Sequence, residues 1–496
     1  MTSTTTWADL ASLAPVLAVL AAAFALMAMR PGPAGAGDGR RPAVALAGLA
    51  TAAALVVRAW YAGPQSAFDG SVLIHRFALY VALLVISGTA LTTLASVRFA
   101  SRAGIGHGEY YMLLLFAASG MMMLPMADDF LMLFLSLEVL SLAVYSLTGV
   151  RREDPAANEG AVKYFVMGSF ASAILLFGIA LTYGATGTVG FGAAGTDKFP
   201  ALLIPGALLI LVGFAFKIGS VPFHLWVPDA YEGAPAPVAG FMAVGVKAAA
   251  FGALVKILLG VLWPASAGHR EMLHDLLWGL SAATMVTGNV AAVAQTSFKR
   301  MLAYSSIAHT GYLLMGLATA LGMPSAAEAH EAASAMLFYL TAYLFATFGA
   351  FAVAGALVKS DGAEVDRVEL FSGLSRKRPV LAAALSLFLL SLAGVPPAGG
   401  FLAKLLLFKS ALSGGEIALA VIAIGSSIVS VSYYLRPIVT MYFREPSGAW
   451  GEEGGRDGSA IAALAIAAAG TLLLGILPAL PIDLTADSIR SLLAGR

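Results

Sequence analysis

The sequence predicts an all-α polytopic membrane protein of about 14 transmembrane helices, with two inverted five-helix repeats and two discontinuous helices. Three observations carry that reading: a composition too apolar for a water-facing surface, fourteen windows long enough to span a bilayer, and a glycine-proline break that recurs about 175 residues on.

Of the 496 residues, 59% are hydrophobic and only 11% charged, with a mean hydropathy of +0.86. An ordinary soluble domain carries about 25% charged residues, so most of this surface must face lipid. The formal net charge is +1, and no basic patch is extensive enough to suggest nucleic acid. Cysteine is absent, which excludes disulfides, thiolate zinc sites and the four-cysteine ligation of iron-sulfur clusters. Redox chemistry is therefore expected in other chains.

A span needs about 20 largely apolar residues. Windows near 9–29, 42–61, 73–98, 109–126, 128–149, 157–184, 201–232, 236–263, 272–295, 299–321, 331–359, 379–413, 415–444 and 458–480 meet that requirement. No positive flank precedes the first, so it reads as a retained helix and not a cleaved signal. Alternating the loops puts sixteen Lys and Arg on one side, among them Arg30, Arg151, Arg152, Lys299, Arg300, Lys359 and Arg456. The other side holds seven, including Lys198, Arg270 and Arg496. The positive-inside rule makes the richer side cytoplasmic and both termini periplasmic.

Gly219-Ser220-Val221-Pro222 sits late in one long span and Gly394-Val395-Pro396-Pro397 midway along another. Backbone groups freed by such breaks are tolerated in a bilayer only where the break is buried or lines a hydrated cavity. The repeats run from about Glu109 to Trp263 and from about Met272 to Phe443. Five helices is an odd number, so the second copy enters upside down, the pattern of secondary transporters with a site near the midplane. The chain divides into 1–108, three N-terminal helices; 109–263 and 264–444, the two repeats; and 445–496, a loop and the last helix.

A charge at the bilayer centre costs about 2.5–3.5 kcal/mol on insertion scales, and so points to transport or proton relay. Glu138 is central in its span, Lys217 immediately precedes the first break, Lys247 is mid-span, and Lys404 follows the second break by seven residues. His309 lies 171 residues after Glu138, so the two copies place a titratable group at equivalent depth, and histidine can pass protons either way near neutral pH. His224, within the first break, and Lys163, near the start of the sixth span, are further candidates; the bland alternatives are a satisfied core histidine and an interfacial lysine. Asp229 and Glu232 follow the first break and could gate proton uptake. Lys256, Lys409 and Arg436 read as long side chains reaching the interface.

Gly190-Phe191-Gly192-Ala193-Ala194-Gly195 matches the dinucleotide fingerprint letter for letter, but it follows no strand and lies in a loop, which sets nucleotide binding aside. The seven histidines show no spacing that suggests metal or haem. Segment 361–379 is amphipathic in part and a plausible docking surface.

The run FKIGSVPFHLWVPDAYEGAP at 216–235 resembles the signature of the antiporter-like membrane subunits of respiratory complex I, the proton-pumping NADH-quinone oxidoreductase. Its ending is similar to the subunit N family. Supporting stretches are Leu135-Ser136-Leu137-Glu138, Ala303 to Tyr312, and Gly394-Val395-Pro396-Pro397 with Gly399-Gly400-Phe401. The resemblance implies discontinuous seventh and twelfth helices and a proton path in which Glu138 pairs with Lys217, Lys247 links the half-channels and Lys404 serves the exit. It implies a subunit coupling quinone reduction to proton pumping in a bacterial inner membrane, beside subunits M, K and J. No cofactor is expected in this chain; FMN, iron-sulfur clusters and quinone belong to partner subunits. Sister subunit M has a glutamate where this chain has Lys404, and no residues remain for the long lateral helix of subunit L. Two rivals stay open: a subunit of a multi-subunit Mrp-type cation/proton antiporter, and a non-pumping membrane scaffold.

Overall fold

A computed structural model describes residues 6–29, 39–103, 105, 109–191, 200–262, 270–323, 325–358, 364–446 and 457–494. Among them, ten helices are long and apolar enough to cross a membrane, and Ala14–Ala28, Glu109–Met123 and Pro379–Ala393 are shorter apolar helices. Every one of the fourteen windows carries helix, but three are divided: the first at Leu13, the seventh into Pro200–Ile218 and Trp226–Gly233, the twelfth into Pro379–Ala393 and Gly399–Ser413. The glycine-proline breaks interrupt the seventh and twelfth helices outright, and the first is divided just ahead of Pro15.

Local chemistry sets the helix starts. Asp129 opens Phe130–Thr148 by accepting from Met132 N at 2.6 Å, and Ser297 opens Phe298–Gly322 by accepting from Arg300 N at 3.0 Å; short polar side chains satisfy first-turn donors in this way. Pro155 and Pro379 stand in the first position of their helices, where a missing N–H costs nothing.

Two helical paths at the centre are hidden from lipid: 100% of the window in Ala236–Leu259 and 94% of that in Glu328–Ala356 is buried, against 22% in Arg40–Ala62. The first path changes winding along its length, with π-helical Met242–Val246 and Lys256–Leu262 on either side of α-helical Lys247–Val255. Both of its lysines stand where the winding changes, and π turns are rare and frequent at functional sites.

Two elements add to the expected architecture. Gln65–Ala67 pairs antiparallel with Val72–Ile74, and further bridges join Val72 to Ala127 and Asp129 to Gly190. The hairpin, the 126–129 turn and the 189–191 loop therefore form one layer over one end of the bundle. Helix Ala479–Ala494 folds back on Arg76–Arg102, where Ser491 Oγ accepts from Phe77 N at 3.1 Å.

Arg30, Lys198, Lys359, Arg456, Arg496, Gly192 to Gly195 of the fingerprint and 361–363 of the amphipathic segment lie outside the described residues. The rest of that segment forms Val368–Phe371 and Leu374–Lys377, and Val368, Phe371 and Leu374 are buried. Its apolar side is turned into the protein itself.

Candidate proton-transfer site

Helix Pro200–Ile218 stops where Gly219 turns left-handed, at φ +69. A Cβ there would lie 2.8 Å from Val227 Cγ2, so only glycine fits. The freed backbone groups find partners: Trp226 Nε1 donates to Phe216 O at 3.0 Å, Thr310 Oγ1 to Ile218 O at 2.8 Å, and Val221 N to Thr284 Oγ1 at 3.0 Å. Two of these three partners come from helices in the second half of the chain, which satisfies in lipid what water cannot reach. At the second break Gly400 N donates to Ser391 Oγ at 3.1 Å, and Lys404 Nζ donates to Ala393 O at 3.1 Å. A cation at the C-terminal end of a half-helix is favoured by its dipole.

Lys217, Lys247 and Lys404 are each 4% exposed and His309 3%, so none is a side chain reaching for the interface. Lys217 Nζ donates to Ser141 Oγ at 2.7 Å and stands 5.5 and 5.6 Å over the rings of Tyr145 and Tyr164. Ser141 gives its own proton to Leu137 O, so towards the lysine it acts as acceptor. Glu138 is half-buried and accepts from Ser172 Oγ at 2.5 Å. Among the described residues no ion pair joins Glu138 to Lys217. The two are not in direct contact in this structure, and a serine one turn along the same helix is the hydrogen-bond partner of Lys217.

Small cavities lie beside these groups. Ser172 and Lys217 line one; Lys217, Tyr231, Lys247 and Ser306 line the next; His309, Tyr339, Tyr343 and Lys404 line a third. Each has room for about one water molecule. Lys247 Nζ donates to Ser306 O and, at 2.7 Å, to Ser306 Oγ, and lies 4.9 Å over the ring of Tyr343. On its other side Tyr343 is 4.9 Å from the ring of His309. His309 is bonded at Nδ1 to Tyr339 Oη, 2.5 Å away, and at Nε2 to Tyr434 Oη, 3.1 Å away. Lys404 completes the row, donating to Ser427 Oγ at 2.8 Å beneath the ring of Tyr312. Glu138, Lys217, Lys247, His309 and Lys404 thus follow one another through both halves of the chain.

His224 and Lys163 are not brought into that row. His224 is half-buried in the turn after Gly219, its Nδ1 has no hydrogen-bond partner, and it lines none of the three cavities. Lys163, 44% exposed, is paired with Glu159 at 2.5 Å and Asp229 at 2.7 Å. One residue expected at the interface is elsewhere. Lys256 is 1% exposed, donates to Ala127 O and pairs with Asp128 Oδ1 at 3.1 Å, because the hairpin layer closes over it. Arg436 caps a neighbouring helix end, donating to Val293 O at 3.3 Å and to Gln295 O. Sequence reasoning also missed Tyr343 and the serine partners. The spacing of Tyr339 and Tyr343 on one helix face was a readable signal; the serines offer none.

At the arginine-rich end, Glu364 ties the halves together outside the membrane. It accepts from Lys299 Nζ at 2.7 Å and Ala236 N at 2.7 Å, and lies 3.6 Å from Arg151. Burial alone would raise its carboxyl, but Lys299, Arg151 and the Ala236 amide outweigh burial and hold it below the usual glutamate range.

Residues 127–430 match the family described as NADH:quinone oxidoreductase/Mrp antiporter, transmembrane. NADH-quinone oxidoreductase subunit N of Myxococcus xanthus (strain DK1622) is 40% identical over 455 residues, 86% of this chain and 87% of that protein. A chain of respiratory complex I from Thermus thermophilus with bound aureothin is similar at 35% identity and a TM-score of 0.78, over 95% of this chain and 99% of that one. A chain of the Mrp complex from Dietzia sp. DQ12-45-1b shares the fold, with a TM-score of 0.82 at 23% identity over 98% of both chains.

Proposed function

We propose, from the premise that this chain belongs to the NADH-quinone oxidoreductase subunit N family, that it is a proton-translocating membrane-arm subunit coupling quinone reduction in its complex to proton movement across the membrane. One observation carries the reading: the buried side chains Lys217, Lys247, His309 and Lys404 line water-sized cavities, and the half-buried Glu138 is bonded to Ser172 of the first cavity's wall.

The chemistry follows from what holds each charge. An ammonium in a low-dielectric interior is stabilised most by a facing carboxylate. While Glu138 faces Ser172, the Lys217 ammonium is touched by the Ser141 hydroxyl and two ring faces, with the carboxylate at a remove. Exchanging Ser141 for Glu138 asks Lys217 to move between neighbours on one helix face. Withdrawing Glu138 sends the proton through the shared cavity to Lys247, then past Tyr343 to His309 and Lys404. Work for each exchange comes from quinone reduction in partner subunits, where FMN and iron-sulfur clusters reside; the cysteine-free sequence supports that division.

In this reading the arginine-rich end is cytoplasmic, both termini are periplasmic, and the membrane is a bacterial inner membrane. Three N-terminal helices at 1–108 precede inverted repeats at 109–263 and 264–444, with a closing segment at 445–496. Subunits M, K and J are the neighbours. His224 and Lys163 serve the first break and the inlet.

Lys217→Ala in the assembled complex should lower proton release per NADH oxidised at least about tenfold, as loss of a positioned proton carrier does. Assembled enzyme with full proton stoichiometry would reject the role. The Mrp-type rival shares the fold; it requires sodium/proton exchange with no redox partner, which flux measurements on sealed vesicles distinguish.

A further inference from the structure

The cavity between Lys217 and Lys247 is closed towards the arginine-rich end by the half-helix Trp226–Gly233, whose Tyr231 lines it. The half-helix meets its surroundings along seams of different kinds. Against Pro155–Thr186 the Lys163–Asp229 ion pair stands at the solvent end, and beneath it the contact is backbone to backbone: a Cβ on Gly160 would stand 2.6 Å from Asp229 O, and Gly233 packs as closely on Ala156. At its end the last carbonyls are pinned, Gly233 O by Arg151 at 2.9 Å and Ala234 O by Lys299 at 3.0 Å. Cations bind the ends of helices in this way. Neither contact leaves room for water.

The seam with Phe298–Gly322 also carries an ion pair at its solvent end, but among the described residues no glycine is packed across it beneath. Arg300 Nη1 reaches Asp229 Oδ1 at 2.6 Å and Glu232 Oε2 at 2.7 Å, and the three side chains are 25–36% exposed. Two turns further along the same helix, Ser306 and Ile307 line the cavity. One guanidinium therefore joins both walls of the seam whose outer edge is wet and whose inner edge is the proton row.

We propose that Arg300 is the latch on proton uptake: while it bridges Asp229 and Glu232 the seam is shut, and releasing them admits water from the arginine-rich end to Lys217 and Lys247. The latch rests on the proton-row reading of the same cavity. Ion pairs at part-exposed sites are cheap to open, whereas the glycine-packed and carbonyl-pinned contacts keep the half-helix in place when they do. Asp229 and Glu232, once freed, are the first carboxylates an incoming proton meets.

The absence of cysteine from the sequence makes a clean test possible. Ile307→Cys sets one thiol in this chain, in the cavity wall. The intact complex in sealed vesicles is treated with a small, charged, membrane-impermeant methanethiosulfonate from either side, and labelling of this chain is read by mass. Adding Arg300→Gln should speed labelling from the arginine-rich side about tenfold or more, since the rate tracks the population of the open form, and leave the opposite side unchanged. An unchanged rate, or equal acceleration from both sides, overturns the latch. Should Arg300→Gln fail to assemble, Asp229→Asn with Glu232→Gln cuts the same bonds from the other partner and must give the same one-sided acceleration. Arg152→Gln, which cuts an exposed ion pair with Glu109 and leaves both Arg300 bonds in place, should not speed labelling; an equal acceleration there would mean general loosening and would also overturn it. The readout is water access and not pumping, so failure of the proton row and failure of the latch register in separate experiments.

Discussion

A buried lysine that carries protons needs partners able to let it go, and the buried lysines here divide by what holds them. Lys217, Lys247 and Lys404 are each held by hydroxyl or carbonyl oxygens and an aromatic face. Lys256 and Lys299 are each clamped by a carboxylate, Asp128 and Glu364. A cation over a ring gains about 0.5–2 kcal/mol, whereas stripping one partner from a buried ion pair costs about 3–5 kcal/mol. The first arrangement suits transfer and the second suits fastening. Glu364 makes the difference testable through pH. Its carboxyl is held below the unfolded range, so its contribution is fully present above the unfolded glutamate value of about 4.3 and is lost as pH falls through the lower, folded value. Glu364→Gln should destabilise the detergent-solubilised protein at neutral pH by about 3–5 kcal/mol and flatten the acid dependence of its melting temperature. A melt like that of the unaltered protein at pH 7, with the same acid slope, would show that Glu364 fastens nothing.

At the scale of the helix, each break ends on a left-handed glycine, but the second also makes room for a charge. A Cβ on Gly394, at φ +89, would stand 3.1 Å from Lys404 Cδ and 3.6 Å from Lys404 Nζ. Gly415 has nearly the same backbone, φ +81, with open space around it. Alanine at either position costs about 1–2 kcal/mol of backbone strain. Thermal melts should therefore drop alike, while proton release per NADH oxidised should fall for Gly394→Ala and not for Gly415→Ala; equal pumping in both would mean that Lys404 has no need of that space. The breaks and all fourteen helical windows are legible in the sequence because long apolar runs and a glycine beside proline act locally. What encloses them is not. Strands as short as Gln65–Ala67 carry too few residues to show alternation, and Ala479–Ala494 is masked by Pro478 and Pro481. Lys256 looks interfacial because nothing in its own helix announces that the 126–129 turn folds over it. Glu138 and Lys217 are readable as charges at membrane depth, yet the serines that bind them, Ser172 and Ser141, are not, since the distance between two helices is decided by tertiary packing.

For the whole molecule the question is where the work comes from. Moving one charge against 100 mV costs about 2.3 kcal/mol, and nothing in a row of lysines, hydroxyls and a histidine releases energy. Left to itself such a row relaxes down whatever gradient it meets. The cysteine-free, apolar sequence has none of the thiolates from which iron-sulfur clusters are normally hung, so in the proposed function energy arrives through a neighbour that displaces charge near the half-buried Glu138. The isolated chain in liposomes should therefore dissipate an imposed proton gradient at most, and adding NADH and quinone should generate none. Gentle purification through a tag on this chain should bring flavin and iron-sulfur absorbance with it, and the same vesicles should then acidify on the side opposite the arginine-rich end when NADH and quinone are supplied. Sodium-coupled exchange with no bound flavin or iron-sulfur absorbance would instead assign the chain to an antiporter assembly, with the same buried row driven by a cation gradient.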